Sequence, residues 1–165
     1  FQRNMAQLDL ATIVDCQTIW LDQYIGESGN NEDIKNKFRL IMSTLITFTN
    51  VEECLQFIRS NNQKKLFIIT SGTLGRQIVP IINDLPQLNS VYIYCSDVAR
   101  NTSWAIKYPK IKDICDAEDE LLNRFTNDIA QYIMTQGDHY TKIYDTVKAK
   151  FCYSYANELF TRVRS

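Results

Sequence analysis

Apolar residues recur along this chain in two alternating rhythms. Short β-branched and aromatic runs of strand length are followed by stretches whose apolar positions return every three or four residues. Ala11 to Asp22 (ATIVDCQTIWLD) predicts a first strand with its paired core at Gln17 to Leu21. Gln23 to Asn31 contains Gly26, Ser28, Gly29 and two asparagines and predicts a loop. Glu32 to Ser43 sets Ile34, Phe38, Ile41 and Met42 at helical spacing, with Lys35, Lys37 and Arg39 opposite. Thr44 to Thr49 predicts a second strand. Asn50 then caps a helix that buries Val51, Cys54, Leu55 and Ile58, with Glu52 and Glu53 at its positive end. Lys64 to Thr70 predicts the third strand. Leu74 to Leu85 predicts a helix that Pro80 should kink or divide. Ser90 to Cys95 predicts a strand, Ala99 to Tyr108 a short helix stopped before Pro109, and Lys110 to Cys115 an edge strand. Glu118 to Thr135 predicts a long helix ended by Gly137, and Tyr140 to Val163 a last helix.

Strict alternation of strand and helix implies right-handed crossovers and a parallel sheet covered on both faces. The expected fold is a three-layer α/β/α arrangement. Its five parallel strands take the flavodoxin-like order 2-1-3-4-5, and an additional helix follows at the C-terminus. The chain divides into a tail (1–10), an α/β domain (11–136) and a helical extension or linker (137–165). In the last helix Ile143, Val147, Phe151, Tyr155 and Leu159 recur at four-residue steps, with Phe160 beside them. That stripe is too wide for an isolated helix in water. It makes Phe151, Tyr155, Leu159 and Phe160 the candidate interface, either for a dimer or for an adjacent domain.

Composition narrows the partners. The chain has 165 residues, with 45% hydrophobic and 22% charged residues, which suits one soluble domain with a real core. A formal net charge of -1 gives no bulk attraction to nucleic acid or an anionic membrane, so neither is expected as a partner. No apolar run is long enough for a membrane span. The five cysteines are irregularly spaced with no C-x-x-C pair, and His139 is the sole histidine, so no metal site is expected. An odd cysteine count without a secretory leader favours a reducing, cytoplasmic compartment. The chain starts at Phe1 and is expected to be part of something longer. No cofactor-binding motif stands out.

In an open parallel sheet, ligands meet the carboxyl ends of the strands. The third strand ends in Ser71-Gly72-Thr73-Leu74-Gly75-Arg76, the first in Asp22, and the fourth in Ser96. Asp22, Ser71, Gly72, Thr73, Gly75, Arg76 and Ser96 are therefore the candidate crevice. The run fits neither nucleotide-binding glycine motif. It reads either as an anion cradle with Arg76 as its cation, or as a tight turn in which Ser71 or Thr73 caps a helix. No catalytic group is identified.

This layout resembles a response-regulator receiver domain, but with key residues replaced. Ser71 stands where a receiver carries its phosphoacceptor aspartate. Asp22 supplies one acidic residue of the usual pair, Ser96 matches the hydroxyl position, and Cys115-Asp116 replaces the lysine after the fifth strand. Over about residues 15 to 116 the runs SGTLG, Val79-Pro80, Leu85-Pro86-Gln87-Leu88 and Val91-Tyr92-Ile93-Tyr94-Cys95 resemble a receiver-like module of invertebrate multidomain proteins. There the module precedes an arginine-specific ADP-ribosyltransferase domain, a TPR array, or both. The resemblance implies a pseudo-receiver: a non-catalytic regulatory or interaction module. No ADP-ribosyltransferase signature occurs here, so such an activity would lie outside this chain. The enzyme alternative is a TIR-like NAD hydrolase, which shares the five-stranded sheet. That alternative needs a crevice glutamate and a long loop after the second strand, whereas Thr49-Asn50 runs straight into the helix at Val51. A divergent receiver that still accepts phosphate is a third reading.

Overall fold

The structure is a computed structural model and describes residues 10–24, 32–42 and 44–164. Its strands are β1 (Cys16–Leu21), β2 (Leu45–Phe48), β3 (Lys65–Thr70), β4 (Leu88–Tyr94) and β5 (Ile111–Cys115). Its helices are α1 (Leu10–Ile13), α2 (Glu32–Ile41), α3 (Val51–Ser60), α4 (Gly72–Ile82), α5 (Val98–Ala105), α6 (Glu118–Lys142) and α7 (Thr146–Arg164). The chain forms two compact units. One is Cys16–Leu121; the other is Leu122–Ser165 with the segment that ends at Asp15.

The first unit holds a five-stranded sheet in the order β2-β1-β3-β4-β5. Every pairing is parallel, with Ile19 beside both Ile46 and Ile68, and Ile69 beside Tyr92. All six residues of β1 are buried, which requires cover on both faces. One face presents Ile19, Leu21, Leu66, Ile68, Val91 and Ile93. They pack with Cys54, Leu55 and Ile58 of α3, Leu74, Ile78 and Ile82 of α4, and Trp104 and Ala105 of α5. On the other face Trp20 meets Phe38 of α2 edge to face, with ring centroids 5.4 Å apart. Each fully buried Ile, Leu or Phe contributes roughly 1.5–3 kcal/mol, so the two covered faces supply the driving force that holds the layers together. The flavodoxin-like order and the three layers agree with the sequence expectation. β2, at one edge, is only half-buried throughout.

Helix starts follow local chemistry. Asn50 caps α3, its side-chain oxygen accepting from Glu53 N at 2.9 Å. Three expectations need correction. Ala11 to Ile13 is helical rather than the start of β1. Leu10 and Ile13 bury the same side of α1, and Val14 N donates to Leu10 O at 2.9 Å. Pro80 does not divide α4, which runs through to Ile82. Pro80 is exposed, so the backbone bond it forfeits lies toward solvent, and Asn83 N still reaches Val79 O at 2.9 Å.

The third correction concerns the second unit. Gly137 does not end a helix; α6 continues to Lys142. A Cβ at Gly137 would lie 2.8 Å from Tyr153 Cε1 and 3.1 Å from Cys152 Cβ, so this glycine lets α6 and α7 approach closely. The helix stops at Tyr144, whose φ of 63° is left-handed. Asp145 N donates to Tyr140 O at 2.9 Å and Tyr144 N to Thr141 O at 3.1 Å. This pair of bonds is the Schellman pattern, with tyrosine where glycine is usual. Asp145 then caps α7, accepting from Lys148 N at 3.1 Å. Hence α7 begins at Thr146 rather than Tyr140. Its buried seam is Ala149, Cys152, Ala156 and Leu159; of the predicted four-residue stripe only Leu159 lies in it.

Candidate functional site

The carboxyl ends of β1, β3 and β4 open into a crevice of about 510 Å³. Asp22, Ser71, Gly72, Thr73, Arg76 and Ser96 line it, as do Tyr94, Cys95, Asp97, Arg100, Asn101 and Trp104. Gly75 is the one crevice candidate that does not line it. It is buried beneath the helix, where a Cβ would come 2.9 Å from Thr70 Cγ2 and 3.0 Å from Ile93 Cδ1, and so it lets α4 lie close on β3 and β4.

Ladder bonds carry the strand ends to the crevice: Asp22 N donates to Phe48 O at 3.0 Å and Ser71 N to Leu21 O at 3.1 Å. Beyond them the polar groups turn inward to the backbone. Ser71 Oγ accepts from Leu74 N at 3.3 Å and is the N-cap of α4. Asp22 Oδ1 accepts from Tyr24 N at 2.9 Å, closing a short turn. Asp97 Oδ1 accepts from Arg100 N at 3.0 Å and caps α5. Burial pushes the Cys95 thiol up, which keeps it protonated and poorly nucleophilic.

Asn101 joins the two helices. Its Nδ2 donates to Asp97 O at 2.9 Å and its Oδ1 accepts from Trp104 Nε1 at 3.0 Å. Held this way, the amide lies over Gly72, where a Cβ would stand 2.5 Å from Asn101 Oδ1. Gly72 is therefore required by an asparagine, and the start of α4 is covered rather than bare.

Arg100, Asn101 and Trp104 escaped the sequence reading. The available signal was the short helix that follows Ser96: its first turn starts at the same sheet edge and must face the crevice. Arg76 and Arg100 are both exposed, and neither pairs with a carboxylate among the described residues. No glutamate lines the crevice among the described residues.

The predicted interface residues lie in the second unit. Leu159 is buried, while Phe151 and Tyr155 stack on each other with centroids 6.2 Å apart and are half-buried, as is Phe160. Exposed apolar side chains gather instead at the turn between α6 and α7, where Ile143, Tyr144 and Val147 are 55%, 89% and 52% accessible. One cluster has a metal-like donor set, Asp113, Cys115 and Glu120, with ligand atoms within 4.8 Å of one another. Burial there pushes the Cys115 thiol up to about 12, and the neighbouring Asp113 and Glu120 charges add to the rise. None of the described helices is long and apolar enough to cross a membrane.

The fold defines the class as a flavodoxin-like parallel α/β protein. Comparison with protein-family models, curated proteins and solved structures finds no match to any of them.

Proposed function

We propose that this chain is a non-catalytic regulatory or protein-interaction module of a larger protein, built on a receiver-like frame with its reactive groups replaced. The observation that carries this reading is the state of Ser71. It occupies the place of a receiver's phosphoacceptor carboxylate, and its hydroxyl is committed to capping α4. A capping hydroxyl with no adjacent base is a poor nucleophile. Asp22 Oδ1 accepts from Tyr24 N, and Gln23 rather than a second carboxylate follows it at the end of β1, so the acidic pair of a receiver is incomplete there. The interaction part is supported by Ile143, Tyr144 and Val147, which present apolar surface that the helical unit does not use internally. The partner is a protein or an adjacent domain, and the setting is cytoplasmic signalling. The ADP-ribosyltransferase and TPR proteins that the sequence resembles are the proposed wider context.

Exposure to acetyl phosphate with Mg²⁺, followed by intact-mass measurement, tests the non-catalytic part. The expected outcome is an unchanged mass. A phosphoryl adduct at Asp22 or Ser71 would overturn it.

A further inference from the structure

We propose that Asp113, Cys115 and Glu120 form a binding site for a thiophilic divalent metal ion of the zinc class, at the carboxyl end of β5. None of the three lines the crevice, so the inference stands apart from the non-catalytic reading of that site.

The topology brings the donors together. Asp113 and Cys115 lie two apart on β5, and strand alternation puts both on one face of the sheet. The chain then turns at once into α6, whose first turn carries Glu120. One ligand atom from each residue lies within 4.8 Å of the other two. Cys115 is 1% exposed, and its thiol makes no hydrogen bond among the described residues. A buried sulfur without a partner therefore faces two carboxylates. No C-x-x-C or histidine spacing marks the site, because a strand and the helix after it share the ligands.

The cluster gathers acidic groups, and no cation offsets them. The ionisable neighbours that act on the Cys115 thiol are Asp113, Glu120, Cys95 and Asp116. Neither Asp113 nor Glu120 pairs with a Lys or Arg among the described residues. Lys112 alternates to the opposite face of β5 and donates to Pro109 O at 3.4 Å. Lys37 is taken by Glu118 at 2.6 Å. Asp113 Oδ1 accepts from Ile114 N at 3.0 Å, which leaves the second oxygen of that carboxylate for a ligand. The positive end of α6 works against a bound cation, and the acidic first turn of Glu118, Asp119 and Glu120 offsets it.

The donor set selects the ion. A thiolate and two carboxylates suit a tetrahedral zinc-class ion, with the fourth position left to water. Magnesium and calcium take about six or more oxygen ligands and gain nothing from sulfur. At bond lengths of about 2.0–2.3 Å, tetrahedral ligand atoms stand about 3.5 Å apart, so the cluster must close by about 1 Å. Glu120 is exposed at the helix start and can make that movement. Burial and the neighbouring carboxylates keep the thiol protonated in the metal-free chain. On binding, the S–H bond breaks, the proton leaves to solvent, and a metal–sulfur bond forms. The ion would then tie the edge strand β5 to the start of α6.

The test is titration of the metal-free full chain with Co²⁺, followed by absorbance, and with Zn²⁺ in competition with a chromogenic chelator. The parent should take up a single ion per chain and show thiolate-to-cobalt charge-transfer absorption. Cys115→Ala should abolish that absorption, whereas Cys95→Ala should keep it. Glu120→Gln, at an exposed position, should lower zinc affinity by about tenfold or more, since even the outer-shell partners of a metal contribute that much. Zinc should raise the thermal midpoint of the parent and leave that of Cys115→Ala unchanged. Circular dichroism on each variant excludes unfolding as the cause of a loss. No uptake by the parent, charge-transfer absorption that survives Cys115→Ala, or equal zinc affinity in Glu120→Gln would overturn the proposal.

Discussion

At the start of α4 a glycine makes room for an asparagine, whose amide bonds Asp97 O and Trp104 Nε1. At the turn between α6 and α7 a tyrosine sits at φ 63°, where glycine would be at ease, and the residue is 89% accessible. The first region spends special residues on local fit. Asn101 can cover Gly72 because no Cβ intervenes, and the cost of glycine in a helix is offset by the contact it permits. The second region keeps a left-handed tyrosine whose side chain gains no burial. Such strain persists when the surroundings over-determine it, here through the Schellman bonds and the Asp145 cap. Irregular backbone that serves packing looks different from irregular backbone that presents a side chain to solvent.

Alkaline pH has the largest expected effect, and it acts on both units. Burial raises the thiols of Cys54 and Cys115 to about 12 and that of Cys152 to about 11, from an ordinary value of 9.0. Each thiol remains protonated in the folded chain while its unfolded counterpart ionises. The native state then binds more protons, and stability falls as pH rises from 9.0 toward 12. Denaturant titrations across that range should show a steady loss of stability. The sheet unit should respond more, since it carries two of these three thiols. A flat profile would contradict the burial described.

Leu159→Ala should cost about 2–5 kcal/mol, because Leu159 belongs to the buried seam of α7. Urea unfolding measures it, and a cost below about 1 kcal/mol would remove that seam from the account. Gly72→Ala should cost about 1–3 kcal/mol by overpacking against Asn101. Asn101→Gly in the same chain should recover part of the loss, and a double-mutant cycle reads the coupling. Additive effects would break the proposed Gly72–Asn101 fit. Tyr144→Gly should stabilise the chain by about 1 kcal/mol through relief of left-handed strain. A destabilised variant would show that the tyrosine ring contributes packing. Val147→Ala should change stability by less than about 0.5 kcal/mol, since this side chain is half exposed.

Strand–helix alternation and cap chemistry are local properties, so β1 to β5 and the Asn50 cap were readable from the pattern. Helix ends in the second unit were not. Gly137 carries the usual sign of a helix stop, and only the approach of Tyr153 explains its place inside α6. No local motif marks Tyr144 as the true terminator. The four-residue stripe through Val147 and Phe151 drifts around a helix of 3.6 residues per turn. The small residues Ala149, Cys152 and Ala156 allow closer packing and take the seam. At the crevice, Asp22, Ser71, Gly72, Thr73, Arg76 and Ser96 could be placed from strand ends alone. The start of α5 at the same sheet edge was legible, but which of its side chains turn to the crevice, Arg100, Asn101 and Trp104, is fixed only by packing on the sheet.

The central claim is that the crevice carries no catalytic group. Incubation of the chain with NAD, with free nicotinamide quantified against a buffer blank, tests this most directly against the enzyme alternative. The account predicts no nicotinamide above the blank at any concentration of the chain. Nicotinamide that rises in proportion to the chain, and disappears when Arg76 and Arg100 are replaced by glutamine, would contradict it.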